Sequence, residues 1–169
     1  TKINCVESSF IQTESIEFKI QKIHQNLIFS SQNAVQSILK SSYAEQLKSH
    51  KVFCVGIKTK NLLEENGFEV VAYTDYASDL AEIITLVYSD ESYTFFCGNL
   101  RRDTLPEALL EFGIEFQEIK VYQTTLTSNK ISTPFDGILF FSPSAIESFL
   151  QQNSIKKEIC FCIGETTAE

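Results

Sequence analysis

A chain of 169 residues, 43% hydrophobic and 21% charged, has the composition of a soluble globular protein, with length for one ordinary domain or two small ones. A net charge of −8 without any basic stripe argues against nucleic acid; the nearest thing to one is Arg101-Arg102. No apolar run approaches the ~18–20 residues of a membrane span, and no charged-then-apolar leader opens the chain, so a cytoplasmic protein without membrane partners is expected.

The first recognisable element is a short apolar strand at Asn26–Ser30, followed by helical apolar spacing over Gln32–Lys40. Lys51–Gly56 is a second apolar strand, and Lys58–Asn66 a helix closed by Gly67 as its C′ glycine. Phe68–Val71 returns as a strand. Ala77–Tyr88 is amphipathic, with Ser78 as its expected N-cap. Tyr93–Cys97 is another strand, and Thr104–Phe112 a helix with Pro106 in its tolerant first turn and Gly113 at its end. Glu115–Tyr122, Asp136–Phe141 and Glu158–Ile163 complete the strands, and the polar, Pro134-containing stretch Gln123–Phe135 between them reads as a linker. Strands alternating with helices imply an α/β architecture with parallel sheets.

The chain also repeats itself. L-I-F-S-S-Q-N-A-V-Q-S-I-L around residue 30 aligns with L-F-F-S-P-S-A-I-E-S-F-L around residue 141, placing Ser31 on Ser142 at an offset of 111. F-C-V-G-I-K-T-K from Phe53 aligns with F-C-I-G-E-T-T-A from Phe161, placing Gly56 on Gly164 and Thr59 on Thr167 at an offset of 108. Two ordered blocks at nearly constant offset imply two similar α/β domains. The second copy stops just after Gly164 and the chain contains no Met, so a piece of a longer protein is expected, and activity of this stretch alone is not.

Five cysteines, none in a C-x-x-C pair, and only two histidines, His24 and His50, give no clustered metal-ligand set. Cys54, Cys97, Cys160 and Cys162 sit in apolar runs and read as buried thiols in a reducing compartment.

In open α/β sheets, ligands bind where strand ends feed helix N-termini. Four turns have that character: Ser30-Ser31-Gln32-Asn33, Gly56-Ile57-Lys58-Thr59, Ser142-Pro143-Ser144 and Gly164-Glu165-Thr166-Thr167. Their hydroxyl residues either cap helices or leave amides for a carboxylate or phosphate. In the fifth turn, Gly98-Asn99-Leu100-Arg101-Arg102-Asp103, the arginines could clamp a carboxylate or pair with Asp103 or Glu107. Tyr122, ending its strand, could donate a proton, anchor a ligand, or only pack. Phosphate-binding loops, dinucleotide fingerprints and a G-x-S-x-G elbow are all absent, so acid catalysis and positioning are the expected chemistry.

The ordered set I-F-S-S-Q-N-A-V, V-G-I-K-T, C-G-N-L-R-R-D-T-L-P-E-A-L, V-Y-Q-T, F-F-S-P-S-A and I-G-E-T-T-A resembles the uroporphyrinogen-III synthase family over nearly the whole chain. The resemblance implies two parallel-sheet α/β domains joined by a short two-stranded linker: residues 1–12 with 124–169 as a discontinuous one, and 13–123 inserted. It implies a cofactor-free, metal-free, monomeric lyase of haem, sirohaem and cobalamin biosynthesis. That enzyme converts hydroxymethylbilane, received from hydroxymethylbilane synthase, to uroporphyrinogen III, with loss of water and inversion of ring D. Tyr122 matches the tyrosine of the family's V-Y-x-T motif, expected to assist departure of the hydroxyl. Ser31, Thr59, Ser142 and Thr167 match hydroxyl positions lining its cleft. Ser144 and Thr166 lie in the same turns, and Gly98, Asn99 and Arg101 in the fifth; all are counted with them as substrate-binding. Asn33 stands where the family often has Arg, so binding there is expected to lean on backbone amides. The alternative from another functional class is a non-catalytic two-domain binding module for a small carboxylate or phosphate.

Overall fold

A computed structural model describes residues 3–168. It has β1 (Ile11–Ser15), β2 (Asn26–Phe29), α1 (Gln32–Leu39), α2 (Ala44–Leu47), β3 (Lys51–Val55), α3 (Ile57–Glu65), β4 (Glu69–Thr74) and α4 (Ala77–Val87). Then follow β5 (Tyr93–Gly98), α5 (Thr104–Glu111), β6 (Phe116–Leu126), β7 (Gly137–Phe140), α6 (Pro143–Leu150), β8 (Ile159–Cys162) and α7 (Glu165–Ala168). The fold is mixed α/β with mainly parallel strands. Two compact units divide the chain: Glu14–Gln123, and the segments up to Thr13 and from Thr124 onward.

In the larger unit the strand order is β6-β5-β2-β3-β4, each neighbouring pair parallel. Strict alternation sorts its core. Leu27, Phe29, Val52, Cys54 and Phe96 face the side covered by Ala34, Val35 and Ile38 of α1, Leu47 of α2 and Leu63 of α3. Ile28, Phe53, Phe95 and Cys97 face the side covered by Leu80, Ala81 and Ile84 of α4 and Leu105 and Leu109 of α5. Cover on both faces is why the β2 run NLIF is buried at every position. The helix ends follow the punctuation of the sequence: Gly67 and Gly113 adopt φ of +83° and +67° just past α3 and α5.

Three expectations are corrected. Gln123–Leu126 belong to β6 instead of opening a linker, because Thr124, Thr125 and Leu126 keep a β pattern and pair with β1. The bonds Ile16 N to Val121 O (3.1 Å) and Thr127 N to Phe10 O (2.9 Å) make that pair antiparallel. Polar IQTES gives β1 no apolar alternation, and the one-turn helix α2 is too short to show a helical period. Ser78 does not cap α4, since the helix begins one residue earlier, after extended Tyr76, and the Ser78 hydroxyl donates to Asp79 Oδ1 at 3.0 Å. Cys54 and Cys97 are buried, but Cys160 is exposed and Cys162 half-buried.

Cys160 lies in the smaller unit, where β7 and β8 form a two-stranded parallel sheet whose apolar side chains Leu139, Ile159 and Phe161 are more than half exposed. Its core is built on Phe149, which meets Phe10, Phe140 and Phe135 edge-on at 5.4, 5.5 and 6.4 Å. Asn153 secures the preceding loop, accepting from Ile131 N at 2.8 Å and donating to Asn129 O at 2.6 Å.

At the amino ends of β2 and β5, His24 is nearly buried and its Nδ1 has no hydrogen-bond partner. Burial, then the neighbouring Lys22 charge, hold the imidazole below its ordinary range, and Glu115 only partly opposes this. Because the folded state binds this proton less readily than the unfolded chain, the His24 contribution is fully present above about pH 6.5 and is lost as pH falls through the folded value. Denaturant midpoints should therefore drop between pH 7.5 and 5.5. His24→Leu should flatten that interval, and an unchanged slope in the variant would exclude His24 as its source. The loss from the lowered carboxyls of Glu115 and Glu158 falls in a separate window, below about pH 4.5.

Candidate functional site

The helices fix where a ligand can sit. From β2 the chain winds through α1 and α3 on one face to β4, then crosses by α4 on the other face to β5, on the far side of β2. The winding therefore changes direction between β2 and β5, and the gap outside their carboxyl ends is the natural ligand crevice of such a sheet. Located there are Ser30-Ser31 after β2 and, at the end of β5, Gly98 with Asn99 beyond it, with Gly56–Thr59 after β3 and Tyr122 on β6 to either side.

Ser31 has extended backbone (φ −154°, ψ 139°) and caps α1, its Oγ accepting from Asn33 N at 3.1 Å. Asn33 sits half-buried in the first turn, and its carbonyl accepts from Ser37 Oγ at 2.8 Å. Thr59 is buried in the first turn of α3, its amide donating to Gly56 O at 3.0 Å. If capping is the structural role of Ser31, Ser31→Ala should cost roughly 1 kcal/mol in denaturant unfolding and Ser31→Asn should restore it. Equal losses in both variants would assign the residue another role.

Gly98 and Tyr122 are brought together by an irregularity. Along β5 and β6 the partners run Phe96 with Ile119 and Cys97 with Lys120, then skip Val121, so Gly98 lies opposite Tyr122. As a result Val121 and Tyr122, consecutive in sequence, both pack against the core under α1. The Tyr122 ring covers the place where a Gly98 side chain would project, its hydroxyl 2.9 Å from that point and Cε2 and Cζ nearer still.

Arg101 is engaged differently. Its Nε donates to Glu118 Oε2 at 2.8 Å and its Nη1 to Asp103 Oδ1, and the Glu118 bond is the chief reason the guanidinium is held still more firmly charged than usual. Glu118 alternates onto the α4–α5 face of β6, opposite to Tyr122, so the structure does not bring Arg101 and Tyr122 side by side. Glu118 is the partner sequence reasoning missed, because nothing in a strand residue 17 positions away marks it. Asn99 lies exposed just beyond β5. Burial raises the Cys54 thiol to about 12 and Cys97 to about 11, so neither is a thiolate nucleophile at neutral pH.

The smaller unit repeats the same local geometry. Asn26 registers with Lys51 and Gly137 with Ile159, pairs related by the two sequence offsets. Ser142 is extended (φ −162°, ψ 154°) and caps α6 through Ala145 N at 3.2 Å, with Ser144 Oγ 3.1 Å from its own. Thr167, buried like Thr59, donates its amide to Gly164 O at 3.0 Å, and half-buried Thr166 precedes it. Among the described residues no three His, Cys, Asp or Glu side chains converge as metal ligands. Two hollows of about 340 and 400 Å³ lie elsewhere in the larger unit, one beside Tyr43 and His50, the other between α4 and α5.

A doubly wound sheet with hydroxyl-bearing helix turns along its carboxyl edge is an α/β architecture of the class that offers a ligand crevice at that edge. The family is shown by comparison: the family model described as uroporphyrinogen-III synthase HemD matches residues 2–169, and the chain belongs to that family. It is 26% identical over 143 residues to a uroporphyrinogen-III synthase of Chlorobaculum parvum, covering 74% of this chain and 58% of the relative. It is 28% identical over 115 residues to one of Saccharomyces cerevisiae, covering 58% and 42%. The chain thus spans about half the length of these curated relatives. Crystal structures of uroporphyrinogen-III synthases from Helicobacter pylori (TM-score 0.74, 22% identity, 94% of this chain and 78% of that one) and Thermus thermophilus (0.65, 13%, 94% and 75%) share the fold. Among the described residues no helix is long and apolar enough to cross a membrane.

Proposed function

We propose that this chain carries the ring-closing activity of a uroporphyrinogen-III synthase, converting hydroxymethylbilane to uroporphyrinogen III with loss of water and inversion of ring D. The observation that carries the reading is the pairing of the Tyr122 phenol with Gly98 at the carboxyl edge, beside the winding reversal and the capped start of α1. We read residues 1–12 with 124–169 and residues 13–123 as two similar domains joined by the β1–β6 pair, forming a cytoplasmic monomer that works without a cofactor.

The substrate is a flexible polyanion with carboxylates on every ring, and unaided it closes without inversion. Catalysis is then mainly a matter of holding one conformation. Helix starts at Ser31, Thr59, Ser142 and Thr167 offer amides and positive dipole ends to the carboxylates, which a chain of net charge −8 must supply locally. Asn33, Ser144 and Thr166 extend these turns, Asn99 adds its amide in the turn after β5, and Arg101 contributes charge at the rim. Tyr122 donates its phenolic proton to the departing hydroxyl, which leaves as water and gives an electrophilic azafulvene. The substituted carbon of ring D attacks it, and the spiro intermediate fragments and recloses inverted. The one proton lost from the newly bonded carbon of ring D as it regains aromaticity restores the phenol.

The test supplies hydroxymethylbilane, generated in situ by hydroxymethylbilane synthase, to the purified protein and separates the uroporphyrin isomers after oxidation. Predominance of isomer III is expected. Only isomer I at the uncatalysed rate would overturn the reading, and ligand-dependent thermal stabilisation without rate acceleration would mark a binding module instead.

A further inference from the structure

Glycine 98 is out of place by the ordinary rules of strands. It is buried at the end of a strand whose other five residues are large or β-branched or cysteine, and glycine inside a strand weakens it relative to alanine. Conformation does not demand it. Among the described residues positive φ is confined to Gly56, Gly67 and Gly113, so the Gly98 backbone is one alanine could take. What demands it is space, because a Cβ there would stand among Cε2, Cζ and the hydroxyl of Tyr122. The skipped Val121 is the other half of the arrangement, since in regular register Gly98 would face Val121 and Tyr122 would point to the opposite side of β6.

We propose that Gly98 is a positioning residue of the reaction: its missing side chain is the seat on which the Tyr122 ring lies, and the seat together with the β6 bulge fixes where the phenolic hydroxyl stands at the carboxyl edge. The proposal rests on the acid role given to Tyr122 above. Any side chain at 98 must swing the ring or part β5 from β6. Because the hydroxyl is the outermost atom of the ring, it moves furthest. A displacement on the order of 1 Å is enough to cost a proton transfer a large part of its rate. Gly98 therefore acts on turnover through Tyr122, touching no reacting atom itself.

Two double-mutant cycles test this in the purified protein. In the kinetic cycle, Gly98→Ala alone should lower kcat by on the order of tenfold or more with KM held within about twofold. In the Tyr122→Phe background, where the hydroxyl is gone, the same substitution should lower kcat by less than about twofold. Equal losses in both backgrounds, or no loss in the parent, would overturn the proposal. The second cycle reads thermal unfolding and needs no substrate. Gly98→Ala should lower Tm when Tyr122 is present and leave it nearly unchanged in Tyr122→Ala, where the ring is absent. If Gly98→Ala alone does not fold, recovery of folding in the Tyr122→Ala background is the expected sign of the seat. Equal destabilisation in both backgrounds would remove it. A parent protein that forms no isomer III would defeat the proposed function, while the unfolding cycle still decides whether the seat exists.

Discussion

Tyr122→Phe is expected to reduce turnover of hydroxymethylbilane by on the order of a hundredfold while shifting KM by no more than about twofold, at the low end of what one positioned proton donor contributes. The substitution keeps the ring, and the ring is what packs against the core beneath α1 and over Gly98. Folding and the shape of the carboxyl edge should therefore survive, and the loss should appear in kcat, the pattern of an interaction made only in the transition state. Steady-state kinetics on oxidised, chromatographically separated products measures it. If KM rose and kcat held, Tyr122 would be an anchor for substrate. The isomer ratio gives a second reading: as enzymic closure slows, unaided closure to isomer I should take a growing share of product.

The local structure of the candidate turns is legible in the residues because its signals are local. Ser31 and Ser142 stand where an apolar strand meets an apolar-periodic helix, and both cap that helix in nearly the same backbone conformation. Thr59 and Thr167 are buried at matching points after Gly56 and Gly164. Hydroxyl residues at strand–helix junctions announce themselves through capping chemistry, and the repeat made each assignment count twice. The features that could not be read depend on neighbours distant in sequence. Arg101 meets Glu118 only because β6 pairs beside β5. The skip at Val121 has no residue signature, since valine is at home in any strand. Strand β1 escaped for a different reason: an edge strand paired on one side can be as polar as IQTES without burying anything unfavourable. Cys160 is exposed within an apolar run because apolarity predicts burial only if layers cover both faces of a strand, as they do for β2 and not for β8.

The largest stability effect is expected from Phe29→Ala, at roughly 3–5 kcal/mol. Phe29 is fully buried at the end of β2, stacked on Phe96 at 5.2 Å and meeting Phe68 edge-on at 6.3 Å. Removing the ring takes apolar area out of the core and leaves a cavity between strands that cannot collapse without breaking register. Domains are stable by only about 5–15 kcal/mol, so a loss of this size brings the larger unit near unfolding at physiological temperature. Denaturant titration should show the midpoint falling. If the protein unfolds in two steps, only the step belonging to Glu14–Gln123 should move, because Phe29 packs within that unit. Leu86→Ala, at a side chain 70% exposed on α4, should change stability by less than about 0.5 kcal/mol. Phe29 and Phe96 are also register partners, close to the carboxyl ends of β2 and β5 on either side of the winding reversal. Phe29→Leu, which keeps most of the volume but loses the stack, should therefore be folded yet impaired in turnover. Unimpaired turnover in that variant would show that the edge is held by the backbone ladder alone.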